Sequence, residues 1–194
     1  MKNITPHSAR MILPDVLSNM KTEVGQKIAW KKREATVTLL GAMAYSAPRM
    51  LSTYLPKIVE ILKDALVEVH EGVSSAARKS LERVGGQAAN PELREQIPDL
   101  IRTLGEPTEK SNEVLDSLLY TRFTHSIDPC SLALLMPVLQ RALRHRDQNL
   151  KKKAGQIIGS VSSLVSDPSV LMPYLSTILP LLHDLLVDHQ PRVR

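Results

Sequence analysis

Three things are scarce in this chain of 194 residues, and each scarcity excludes something. It has a single cysteine, Cys130, so no intramolecular disulfide framework is available to it. It has one Trp, one Phe and four Tyr, too few bulky rings for an ordinary β-sandwich or α/β core. It has no apolar run near the ~20 residues a membrane span needs, since "LLMPVLQ" and "ILPLLHDLLV" are both broken by Pro or polar residues. No charged segment followed by an apolar one opens the chain as a secretory leader would. The expectation is a soluble, cytoplasmic protein with an interior of Leu, Ile, Val, Ala and Met, a set that suits helix-on-helix packing.

Motifs for chemistry are missing too. There is no G-x-x-x-x-G-K-[ST], no G-x-G-x-x-G, no G-x-S-x-G and no H-E-x-x-H. The six histidines are scattered, and Cys130 and His125 lack further ligands at metal spacing. The chain reads as a non-enzyme with no catalytic residue, cofactor or metal.

What the sequence does contain is a repeat. Leu13-Pro14, Leu55-Pro56, Ile97-Pro98, Met136-Pro137 and Leu179-Pro180 place prolines 42, 42, 39 and 43 residues apart. Each is followed by apolar residues at helical period, clearest in "LPKIVEILKDALVEV", where Leu55, Ile58, Ile61, Leu62, Leu66 and Val69 share one side. Proline in the first half of such a helix is expected to kink it or to be confined to its opening turns. A second helix follows in register: Val73, Ala77, Leu81 and Val84 match Leu150, Ala154, Ile158 and Val161 at an offset of 77. "REATVTLLGAMA" repeats the idea around Leu40, Gly41 and Met43, and "SNEVLDSLLYTRF" is the most degenerate copy. Asn90-Pro91, Asp128-Pro129 and Asp167-Pro168 mark the joints as helix-entry signals.

Helix pairs at a period near 40 point to an all-α fold, a HEAT/armadillo-like α-solenoid in which antiparallel helix pairs stack into a superhelix. The expected organisation is a single array of about four and a half repeats, at residues 10–47, 51–89, 91–122, 130–165 and an incomplete 170–194. Terminal caps with a polar outer face are not evident, so the array reads as a piece of a longer one.

The charge is concentrated. "RALRHRDQNLKKKAG", residues 141–155, carries Arg141, Arg144, Arg146, Lys151, Lys152 and Lys153 against one carboxylate, Asp147, and so by itself equals the net +5 of the whole chain. The arginines fall at a helix C-terminus, where the macrodipole favours cations by about 0.3–1 kcal/mol each. The lysines open the next helix, where the same dipole disfavours them. Lys31, Lys32 and Arg33 repeat this in the first repeat, and Arg192 and Arg194 in the last.

HEAT turns often carry an Asp laddered to a basic residue early in the second helix, a device that Asp188 and Arg194 fit. The fourth repeat has His145 where that Asp would stand, with only Asp147 nearby to substitute. Cations at one edge of repeats one, four and five would form a basic rim of roughly 40 Å with layers spaced about 8–10 Å apart. Such a rim suits a polyanion such as RNA or a ribonucleoprotein, read through phosphates rather than bases, because aromatic stacking platforms are so few.

The phrases "THSIDPCSLALLMPVLQRAL", "KKKAGQIIGSVSSL" and "DPSVLMPYLSTILPLL", with "LLGAMAYSAP", "LSTYLPKIVEIL" and "NPELREQIPDLI" upstream, carry a more specific likeness. Together they resemble the central HEAT segment of the translational activators of general amino-acid control, itself similar to the HEAT domain of fungal elongation factor three. The resemblance runs from about Lys27 to the end and is densest from Ser131 to Gly159. It implies a ribosome-associated scaffold that regulates translation and helps to activate the kinase of initiation factor two under amino-acid starvation. It also implies the ribosome and an ATP-binding-cassette protein as partners, the kinase being engaged by other parts of the full chain. By position and charge, Arg141, Arg144, Arg146, Lys151, Lys152, Lys153, Lys31, Lys32 and Arg33 are the expected ribosome contacts. Two other readings stand beside this one. The chain could be the HEAT portion of an elongation-factor-three-like ATPase, or a protein-binding scaffold of the transport-receptor or phosphatase-subunit kind.

Overall fold

The computed structural model describes residue 8 and residues 11–17, 30–46 and 52–187. All regular structure among them is helical. The chain divides into two compact units, Met1–Gln87 and Ala88–Arg194.

In the first unit, a helical stretch over 11–17 buries Leu13 and Leu17. Three longer helices follow: α1 (Trp30–Ser46), α2 (Leu55–Leu66) and α3 (Glu71–Gly85). α3 packs on both α1 and α2. Its Val73, Ala77, Leu81 and Val84 are fully buried, which is the face the 77-residue offset marks out. α2 opens on Pro56, whose missing N–H lacks a helical partner there in any case, and buries Leu55, Ile58, Val59, Leu62 and Ala65. Val69 departs from expectation. The helix stops at Leu66, so Val69 leaves the apolar stripe and is fully exposed, with Val67 beside it largely exposed as well.

The contact between α1 and α3 is unusually close. Gly41 is buried against Ser80, and a Cβ added at Gly41 would stand 2.7 Å from the Ser80 Cα and nearer still to its side chain. The Ser80 hydroxyl donates to the Val37 carbonyl at 3.1 Å. Glycine is the slot that lets the two backbones approach.

The second unit contains α4 (Pro91–Gly105), α5 (Pro107–Tyr120), α6 (Pro129–Leu143), α7 (Gln148–Ser163), a 3₁₀ turn over Pro168–Val170 and α8 (Met172–Leu186). α4 pairs with α5 and α6 with α7. Across the pairs, α4 lies on α6, α5 on α7 and α6 on α8. First helices therefore stack on first helices and second on second, the layering of a HEAT-type α-solenoid. α6 has neighbours on several sides, and every residue from Cys130 to Met136 is buried.

Asn90, Asp128 and Asp167 are N-caps, as the Asn-Pro and Asp-Pro pairs predict. Asn90 and Asp128 also tie two joints together. Asp128 Oδ2 accepts the N–H groups of Ala89 and Asn90, both at 3.0 Å, while Oδ1 accepts those of Cys130 and Ser131. The Asn90 amide donates back to the carbonyls of His125 and Ser126, and the Ile127 N–H donates to the Leu164 carbonyl at 3.0 Å.

The prolines correct one expectation. Pro98, Pro137 and Pro180 are neither at the opening turns nor in the first half; each is the eighth or ninth residue of a fifteen-residue helix. Pro98 and Pro180 are exposed and Pro137 half-buried. On that side the carbonyls left without a donor, those of Arg94 and Ser176, can take water, which lowers the cost of proline within a helix.

Candidate anion-binding surface

The basic stretch in the second unit is built from the end of α6, a turn and the first turns of α7. α6 closes at Leu143, and the N–H groups of Arg144 and His145 bond back to its last carbonyls. His145 Nδ1 accepts the Asp147 N–H at 3.1 Å, and the Asp147 carboxylate accepts the Asn149 N–H at 2.9 Å. Asp147 is thus the N-cap of α7 rather than a ladder partner for Lys151. The other proposed ladder, Asp188 with Arg194, and the cations Arg192 and Arg194 lie outside the described residues.

The six cations of this stretch divide in a way that the sequence does not show. Arg141 is half-buried and donates from Nη1 to the Thr103 carbonyl on α4 at 2.9 Å. Burial lowers its pKa from the ordinary arginine value. It joins two first helices and is not an edge cation.

Lys153 reaches Asp116 at 2.5 Å and Asn112 at 2.6 Å on α5, its side chain only 13% exposed. Lys153, named above among the expected ribosome contacts, is therefore held internally and bridges α5 and α7. Arg144, Arg146 and Lys152 are exposed and Lys151 half-exposed. Among the described residues, these four side chains have no ion pair or hydrogen bond. Four uncompensated cations within nine residues can attract a polyanion.

In the first unit the candidates at the start of α1 are more occupied. The Lys31 ammonium lies 5.4 Å from the centre of the Trp30 ring, and Trp30 stacks on His70 with centroids 4.1 Å apart. Arg33 forms an ion pair with Glu68. Lys32 is exposed. Sequence reasoning passed over another set, Arg78, Lys79 and Arg83 on α3, all exposed. The signal was present: the helix that supplies Val73, Ala77, Leu81 and Val84 to the core has these cations on its other faces.

One thiol lies close to the joint. Burial, with the Asp128 charge nearby, pushes Cys130 up to about 12, which removes it as a nucleophile. Among the described residues, no helix is long and apolar enough to cross a membrane.

Comparison with known proteins agrees with this layering. The family described as elongation factor 3/GNC1 HEAT repeat matches residues 109–194, and the one described as EF3 N-terminal HEAT repeat matches residues 1–81. The stalled ribosome sensor GCN1 of Homo sapiens is 40% identical over 194 residues, which is all of this chain and 7% of that protein. The chain belongs to the elongation factor 3/GCN1 HEAT-repeat family. The eIF-2-alpha kinase activator GCN1 of Saccharomyces cerevisiae is 37% identical, again over the whole chain and 7% of its own length.

Elongation factor 3 of Pneumocystis carinii is 29% identical over 94% of the chain and 17% of that protein. Identity is thus higher to the GCN1 proteins than to this elongation factor. The chain spans 7% of the length of the GCN1 relatives it matches, and the likeness reaches the first residue rather than beginning near Lys27.

Proposed function

We propose that this segment is a non-catalytic, cytoplasmic HEAT scaffold that binds ribosomes and protein partners and so regulates translation. In the full protein it would take part in activating the initiation-factor-two kinase under amino-acid starvation, the kinase being engaged elsewhere. An ATP-binding-cassette protein is a further proposed partner. The printed names of the relatives, a stalled ribosome sensor and an eIF-2-alpha kinase activator, support the direction of this reading.

The observation that carries it is the group of four uncompensated cations at the α6–α7 turn, Arg144, Arg146, Lys151 and Lys152. A ribosome presents a dense phosphate surface, and each phosphate neutralised releases counterions. The test is co-sedimentation with purified ribosomes across a salt series. Changing all four residues to Glu should weaken binding and reduce the log–log salt slope by about 3, at ~0.7–0.9 per phosphate contact. Lys153→Gln should leave binding intact, because that ammonium is already held by Asp116. Unchanged binding by the fourfold variant would exclude the turn from ribosome contact.

A further inference from the structure

The first unit contains a groove of about 270 Å³ between α1 and α3. Gly72, Ser75 and Ala76 line it on α3, small enough that a ligand can approach that backbone closely. Lys79 and Arg83 line it too, one helical turn apart on α3. Both are exposed, and neither has an ion pair or side-chain hydrogen bond among the described residues. Arg78 flanks them in the same state.

Among the described residues no apolar side chain larger than alanine lines the groove, so they offer no pocket to a leucine or phenylalanine anchor from a protein partner. No aromatic ring among the described residues lines it either, so they offer an unstacked base no platform. The one carboxylate among the described lining residues, Glu34, lies at the far end beside Gly72, roughly 16 Å along α3 from Arg83 at 1.5 Å per residue. That carboxylate is therefore remote from the cationic end, where the exposed Glu82 is the acidic residue nearest in sequence. Meanwhile Lys31 and Arg33, the cations of this unit that sequence pattern favours, are engaged by Trp30 and Glu68.

We propose that this groove receives phosphodiester groups of RNA, bound by Lys79 and Arg83 with Ser75 adding a hydroxyl. The proposal rests on the ribosome-binding reading and extends it to a second, separate contact. Recognition is of backbone charge and not of base sequence.

Two probes test it: a short labelled RNA duplex in anisotropy titrations across a salt series, and purified ribosomes. The protein carrying Lys79→Glu and Arg83→Glu should bind the duplex roughly tenfold more weakly or worse, with a salt slope smaller by about 2, near 0.9 per lost contact. Glu34→Gln should leave duplex binding nearly unchanged, because that carboxylate lies beyond a Debye length from Arg83. Helical circular dichroism should be unaltered in both variants, since Lys79 and Arg83 are exposed and Glu34 is only half-buried.

Unchanged duplex affinity and slope in the double variant would overturn the proposal. So would weakened ribosome binding with undiminished duplex binding, which would assign the groove to an acidic protein segment. The fourfold α6–α7 variant separates the two ideas. If it abolishes ribosome binding while the α3 variant binds both probes normally, the groove fails and the ribosome reading stands. If the α3 variant loses duplex binding while the fourfold variant binds ribosomes normally, the groove stands and the turn fails.

Discussion

Asp128 holds more of the second unit together than a cap normally does. Its two oxygens accept four backbone N–H groups, two at the start of α6 and two at the start of α4, as well as the Ser131 hydroxyl. An ordinary N-cap replaced by Ala costs ~0.5–2 kcal/mol, and hydrogen bonds to a charged group are worth ~1.5–3 kcal/mol. Asp128→Ala should therefore cost about 3 kcal/mol in urea unfolding. Asp128→Asn keeps one acceptor oxygen of the two and should cost about half of that. The cap itself was legible in "DP". The reach to Ala89 and Asn90 was not, because it depends on a neighbouring joint 38 residues earlier being stacked against this one. Lys153 is the same lesson with a charge. Nothing in "KKK" separates it from Lys151 and Lys152, and only the packing of α5 on α7 brings Asp116 within its reach.

At the scale of elements, glycines in second helices have opposite roles that identical letters conceal. Gly41 lies where α1 meets the Ser80 backbone of α3, and a methyl group there must push two helices apart. Gly159 in α7 faces open space, with nothing within 4 Å of an added Cβ. Alanine is the better helix former by about 1 kcal/mol, so Gly159→Ala should stabilise by ~0.5–1 kcal/mol. Gly41→Ala gains the same propensity but loses more to overpacking, and should destabilise by about 2 kcal/mol net. Thermal unfolding of the two variants, read side by side, checks both signs.

The helix-forming faces were readable from periodicity alone, since burial of Val73, Ala77, Leu81 and Val84 is what a 3.6-residue period requires. Where the period stops was not readable, as Val69 shows. Its apolar neighbours continue the pattern past the point at which the chain turns away. The mid-helix prolines escaped for a related reason: sequence shows that a proline is present, but not that its side of the helix faces water.

For the whole molecule, acid is the informative stress. Protonating all 20 carboxylates would leave 25 Lys and Arg unopposed, so self-repulsion grows steadily as the pH falls. Glu92 resists protonation well into this range. Hydrogen bonds from His125 and Thr124 to its Oε1 hold it at about 2, below the usual 4.5. A carboxylate whose folded pKa is depressed adds stability that is complete above the unfolded value and is lost as pH falls toward the folded one. The Glu92 contribution should thus be whole above about pH 4.5 and disappear between there and about 2. In Glu92→Gln, unfolding midpoints in urea should vary less between these limits than in the parent protein. Equal variation in the two proteins would rule this out.

The stacked joints also dictate where the chain can change length. The segment from Thr124 to Asp128 is bonded to Asn90 on one side and to the Leu164 carbonyl on the other, and Glu92 holds its start. An extra residue there would break several of these bonds at once, whereas one placed among the exposed Arg144, His145 and Arg146 would disturb few. Insertions and deletions among descendants of this sequence should therefore gather at the turns inside helix pairs, while the joints between pairs keep their count.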